Sequence, residues 1–207
     1  MKLSQSQVDA NRRRILAAAA CLFRQHGISG VSVNDVMKAA GMTHGGFYNH
    51  FKSKDDLVQA SLGMPNDLLV DGCMSALDFS DLYLSRPHRD DVDHSCVFSS
   101  LGTELARGNA RLRNDLTQNL RHFVAQMALP KSGDENTQPG IVGNADADAA
   151  NDRETAIANV ATLIGSVIMA RIADDPQFSD DILAAGRKRL GLGSLDDAKT
   201  GITPASA

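Results

Sequence analysis

Two short apolar-faced segments on either side of a glycine turn, SVNDVMKAAGMTHGGFYNHF over residues 32–51, restrict this chain more than any other stretch. Ser32 stands before Val33, Val36, Met37 and Ala40 at the three-four spacing of one helix face, Asp35 supplies a capping acid three residues on, and Gly41 ends the run. Gly41, Met42 and Thr43 form the turn. Phe47 and Phe51 then lie one helical turn apart, able to anchor one face in a core while His44, Gly45 and Tyr48 face outward. Gly45 and Gly46 each cost a helix about 1 kcal/mol relative to alanine. Something other than local propensity keeps them, and the side chains they lack let backbone approach a partner closely.

The rest of the chain reads as helix. Ile15, Leu16, Ala19, Leu22 and Phe23 place an amphipathic helix over residues 7–26, and Ser53 with Asp56 caps another that runs through Leu57, Val58 and Leu62 until Gly63 and Pro65 interrupt it. Further helices are predicted within 66–85 and over 94–107, 110–129, 154–173 and 179–190, with no useful strand alternation. The fold class is therefore all-α: an N-terminal three-helix domain over 1–52, whose short helix, turn and short helix form a helix-turn-helix, and a C-terminal helical domain over 53–192. Residues 131–152 hold one Lys against five acids among Gly, Pro and Asn, which predicts a mobile acidic loop. A disordered tail is expected over 193–207.

The net charge of −4 hides a polarity. Residues 1–60 carry eight Lys/Arg against four Asp, while the remainder holds 13 of the chain's 21 Lys/Arg and 21 of its 25 Asp/Glu. A basic head on an acidic body implies a polyanionic partner for the head alone. The basic N-terminus is not followed by an apolar run, and Val160–Ala170 is shorter than the roughly 20 residues a membrane helix needs, so no membrane role and a cytoplasmic location are expected. Cys21, Cys73 and Cys96 are odd in number and fit no ligand spacing. His88, Asp90, Asp91, Asp93, His94 and Cys96 match no metal pattern either, so neither metal nor cofactor is expected. A nucleophile elbow, a zinc-protease helix motif and a phosphate loop are all missing, which argues against an enzyme.

The stretch VSVNDVMKAAGMTHGGFYNHFKSKDDL resembles the DNA-binding domain of the TetR family of bacterial transcription regulators, through Gly41, Phe47, Tyr48, Phe51, Ser53, Lys54 and Leu57. The resemblance implies that Thr43, Tyr48, His50 and Lys54 hold phosphates, that His44 and Gly45 face base edges, and that Ser32 and Asn34 also touch DNA. Asn49 is a further candidate for base discrimination. Tyr, Thr and Lys suit phosphate, and each good base contact contributes about 1–3 kcal/mol of discrimination. Arg12, Arg13 and Arg14 span about 200° of their helix. At least one must point away from the core, either to reach a phosphate or to form a solvated face.

YLSRPHRDD, HSCVFSSLGTELARGNARLR and IGSVIMARIADDPQFSDDILAAGRKRL resemble the C-terminal domains of one TetR subgroup. This implies a homodimer through residues 154–173 and 179–190, a repressor bound to a double-stranded operator, and a small-molecule effector held in the body. Candidate effector-binding residues are Tyr83, Cys96, Ser100, Thr103, His122, Phe123 and Met127, with Phe79, Ser99 and Met169 beside them. Cys96, with Arg89 and His94 close in sequence, offers an alternative as a thiol sensor of electrophiles or oxidants. A helical module whose basic head binds an acidic protein is an alternative of another class.

Overall fold

The computed structural model describes residues 4–62, 74–128 and 145–199, and every regular element among them is helical. In order these are α1 (Gln5–Gly30), α2 (Val33–Ala39), a 3₁₀ helix (His44–Asn49), α3 (Lys54–Leu62), α4 (Ala76–Tyr83), α5 (Arg86–Asp90), α6 (Val97–Leu105), α7 (Ala110–Met127), α8 (Ala145–Ile172), α9 (Pro176–Arg189) and a closing 3₁₀ turn (Leu195–Asp197). They belong to two compact units, Met1–Met64 with Val92–Thr117, and Pro65–Asp91 with Gln118–Ala207. Residues 92–117, expected in the second domain, pack with the basic head. The reason is apolar: Leu101, Leu105, Leu112 and Leu116 join one core with Ile15, Ala19, Phe23, Val36, Phe47, Phe51 and Leu57.

In the first unit, α1 starts at a capping box between Ser4 and Gln7 and buries Ile15, Ala19 and Phe23, one stripe at the predicted spacing. It runs to Gly30 rather than residue 26, with its axis broken at Gly27 (φ +74°). A Cβ there would stand 3.0 Å from the Glu104 carboxylate. That carboxylate accepts the Ile28 and Ser29 N–H groups (2.9 and 2.8 Å), so α6 closes the end of α1.

Partial burial pushes the Glu104 pKa up, but hydrogen bonds from Ile28 and Ser29, with Lys54 nearby, outweigh it and leave the carboxyl below its ordinary value of 4.5. A pKa depressed by folding adds stability above the unfolded value, and that stability is lost as pH falls through the folded one. Glu104→Gln is therefore expected to melt below the parent at pH 7, with the gap closing in acid below pH 4.5. Thermal melts at both pH values check this, and a gap that persists in acid contradicts it.

In the second unit, α8 packs along α9 and buries Val160, Leu163, Val167 and Ala170. Ser166 is the close-approach residue: a Cβ on Gly186 would lie 2.5 Å from its Oγ, whereas a Cβ on Gly165 would meet open space. The stretch Asp152–Ile172 is long and apolar enough to cross a membrane by length and composition, which corrects the expectation that the longest apolar run is too short. Arg187 on α9 is 1% exposed. It donates to the Gly193 carbonyl (2.9 Å), to the Asp81 and Leu84 carbonyls (both 3.1 Å) and to the Asp81 carboxylate (2.5 Å).

Those bonds correct part of the expected tail. Leu195 is buried, and the Lys199 N–H donates to Asp81 (2.8 Å), so the chain is ordered through residue 199. Helix α8 likewise begins at Ala145, inside the expected acidic loop. Residues 131–144 of that loop, the tail beyond 199 and the segment holding Gly63, Pro65 and Gly72 lie outside the described residues.

Candidate nucleic-acid interface

The Ser32 hydroxyl accepts the Asp35 N–H (3.2 Å) while the Asp35 carboxylate accepts the Ser32 N–H (2.9 Å), so α2 has the reciprocal cap its sequence predicts. The carboxylate also accepts the Ser32 hydroxyl (2.5 Å), and this bond first, then the one from the Ser32 N–H, holds the Asp35 carboxyl below the usual aspartate range. Gly41, at φ +71°, turns the chain out of α2. Across the turn, His44–Asn49 form a 3₁₀ helix rather than an α-helix, as two glycines in six residues favour. Phe47 is fully buried and Phe51 nearly so, their rings stacked 5.8 Å apart at 27°. Tyr48 stands edge-on to Phe47 (5.2 Å, 82°) and to His44 (6.3 Å, 78°) and is 68% exposed.

Ser32, Asn34, Thr43, His44, Gly45, Tyr48 and Asn49 are all exposed in this unit. The Thr43 hydroxyl makes no capping bond to the segment it precedes, and a Cβ at Gly45 would meet nothing within 4 Å. Two expected contacts are differently engaged. Lys54 is half-buried, its ammonium donating to the Ile28 carbonyl (2.5 Å), which ties the start of α3 to the end of α1. His50 is also half-buried, with its Nδ1 shielded from solvent and lacking a hydrogen-bond partner.

The arginine tract combines the expected solvated face with contacts its sequence does not announce. Arg12 donates to the His50 carbonyl (2.7 Å) with its guanidinium 4.3 Å above the Phe51 ring, and Arg14 donates to the Ala40 carbonyl (2.6 Å). Arg13 is exposed.

The candidate effector residues fall in both units. In the second, Phe79, Tyr83 and Phe123 form an aromatic cluster with centroids 5.5–6.5 Å apart, Met127 is buried, and the Tyr83 ring lies 4.3 Å from His88, whose Nδ1 bonds the Tyr83 carbonyl (2.7 Å). Burial, first, and nearby Arg171 lower the His88 pKa. His122 and Met169 are exposed. In the first unit, Cys96 and Ser100 are half-buried, Ser99 is buried and Thr103 is exposed. The cation beside Cys96 is Arg24 of α1, which donates to the Ser95 carbonyl (2.8 Å) and interacts electrostatically with Cys96 and Cys21. Arg89 instead pairs with Asp180 (2.7 Å) and Asp90 (2.7 Å) in the second unit.

Comparison with known proteins places these features in a group. Residues 15–61 match the family model described as bacterial regulatory proteins, tetR family. The HTH-type transcriptional regulator AcrR of Shigella flexneri is 43% identical over 54 residues, 26% of this chain and 25% of that protein. The HTH-type transcriptional regulator TtgR of Pseudomonas putida is 30% identical over 119 residues, 48% of this chain and 57% of its own length. The chain thus spans between about a quarter and just over half of these two relatives. Among solved structures, the reduced form of Escherichia coli NemR superposes with a TM-score of 0.64 at 20% identity, covering 86% of this chain and 96% of that one, a likeness of fold.

Proposed function

We propose that this chain, whose residues 15–61 match the model of the tetR family of bacterial regulatory proteins, works in the cytoplasm as a DNA-binding transcriptional regulator. In this reading it is a homodimeric repressor on a palindromic operator, released by a small molecule. The observation that carries the reading is the outward segment His44–Asn49, presented on the buried pair Phe47 and Phe51 and bearing Tyr48 and His44 in the open. Ser32, Asn34, Thr43 and Tyr48 suit phosphate, with His50 and Lys54 adding support and charge from just behind. His44, Gly45 and Asn49 meet base edges, and the bare surface at Gly45 lets the backbone approach the groove floor.

Dimerisation rests on α8 and α9, where Ile157 (46%), Met169 (55%), Ile172 (76%) and Phe178 (57%) expose large apolar side chains. A two-fold pair sets two recognition segments on half-sites about 34–36 Å, or a multiple, apart. Phe178→Glu is expected to convert the dimer to a monomer in sedimentation velocity and to weaken operator binding by at least tenfold. A variant still dimeric at micromolar concentration contradicts this interface. Effector release is a population shift: a ligand that prefers the conformation with mis-spaced heads lowers operator affinity by that preference and no more. The aromatic cluster of Phe79, Tyr83 and Phe123, beside Met127, suits an apolar effector. Thiol sensing at Cys96 is the second reading, favoured by the Arg24 guanidinium beside it.

Selection of bound duplexes from a random pool tests the function. Enrichment of two inverted half-sites supports the reading. Retention of duplexes with no enriched sequence overturns it in favour of a basic module for an acidic surface.

A further inference from the structure

We propose that Arg12 and Arg14 are positioning residues that set the specificity of the recognition segment, and that neither is a phosphate contact. The inference rests on the DNA-binding reading of the head. On α1, at about 100° per residue, Ile15 lies between the two arginines, and Ile15 is fully buried in the core. The arginines therefore reach around α1 on either side of a rigid anchor and end on opposite sides of the recognition element. Arg14 holds the Ala40 carbonyl (2.6 Å), the last residue before the turn, and Arg12 holds the His50 carbonyl (2.7 Å), the first residue after the 3₁₀ helix. The clamp is tight at the turn, where a Cβ on Gly41 would stand 2.9 Å from the Arg14 Nη2.

The segment between the clamps needs such support. It is a single 3₁₀ helix with two glycines, a geometry that holds itself poorly. The His50 carbonyl at its C-terminal end and the Ala40 carbonyl at the end of α2 are of the kind a helix end leaves without partners, and a guanidinium satisfies each while its positive charge faces the negative helix end. Arg12 adds planar stacking 4.3 Å over Phe51, the ring that also packs on Phe47. Lysine keeps the charge but loses both the fork and the stack. A weakened phosphate contact costs affinity on every duplex alike, whereas lost positioning costs it on the operator alone.

That difference makes the charge-conserving variants the test. Arg12→Lys and Arg14→Lys are titrated against the selected operator and a scrambled duplex at four salt concentrations, with Arg13→Gln alongside and thermal melts as a check of folding. Positioning predicts that each lysine variant loses tenfold or more on the operator and less than twofold on scrambled DNA, with the slope of log affinity against log salt unchanged. Arg13, exposed and available to a phosphate, keeps its operator preference in the glutamine variant even where its salt slope changes. Operator-to-scrambled ratios equal to the parent's in both lysine variants overturn the proposal. So does an Arg12→Gln variant whose slope shallows by about 0.9, the value of one lost phosphate contact. If the parent itself binds no duplex in a salt-dependent way, the DNA-binding reading falls first, and the two failures are distinguished.

Discussion

Arg187→Ala is expected to destabilise the second unit by about 3–5 kcal/mol, because removing one partner of a buried ion pair leaves the other charge and its acceptors uncompensated. Four acceptors depend on this guanidinium: the carbonyls of Gly193, Asp81 and Leu84 and the Asp81 carboxylate. The side chain is 1% exposed and that of Asp81 16%, so water does not reach most of the group to replace the lost donors. The same residue holds the closing strand of chain at Gly193, while Asp81 takes the Lys199 N–H, so the loss spreads from α9 to the segment beyond it. Urea denaturation measures the effect as a drop in midpoint. A loss below about 1 kcal/mol, the size of an ordinary exposed pair, would show that the network contributes little. Arg187→Met combined with Asp81→Leu removes both charges together, and is expected to recover part of the stability.

Tyr48→Phe is expected to weaken binding to operator and scrambled DNA alike by about 1.5–3 kcal/mol, roughly ten- to a hundredfold, the value of a hydrogen bond to a charged acceptor. The ring edge against Phe47 is retained in the variant, and the hydroxyl of a residue 68% exposed is not needed for packing, so the fold is unchanged. The salt slope is also unchanged, since a neutral hydroxyl displaces no counterion. His44→Ala behaves differently: it costs about 1–3 kcal/mol on the operator and relaxes the preference at one base pair. Equal losses on operator and scrambled DNA for His44→Ala remove it from base reading. A sequence-dependent loss for Tyr48→Phe removes that residue from the phosphate set.

Much of the head is legible in one dimension because its determinants are local. Ser32 with Asp35 and Ser53 with Asp56 are three residues apart and cap the helices they precede, and the Asp56 N–H indeed donates to the Ser53 hydroxyl (3.1 Å). Phe47 and Phe51 are one turn apart and share the core as their spacing requires. What stays hidden is set by partners distant in sequence. An arginine tract on a helix face reads as solvated or phosphate-seeking, and only the fold brings the Ala40 and His50 carbonyls to it. Lys54 reads as a free cation until the end of α1 supplies the Ile28 carbonyl.

The same holds in the body. The charge beside Cys96 comes from Arg24 on α1, not from the neighbouring Arg89, which Asp180 engages. The effector candidates at α6 and those on α4 and α7 are grouped in sequence only by the family resemblance, and it is packing that assigns them to separate units. The acidic composition before residue 152 suggests a loop, yet an alanine-rich run at its end extends α8 back to Ala145.

In the proposed function the head recognises a specific DNA sequence through His44–Asn49. The most direct measurement of this is a fluorescence-anisotropy titration of the selected operator against a scrambled duplex across a range of salt. The operator is expected to be preferred at least a thousandfold at physiological salt, in line with specific binders, with log affinity falling linearly as log salt rises. Equal affinity for both duplexes, or operator binding indifferent to salt, would contradict it.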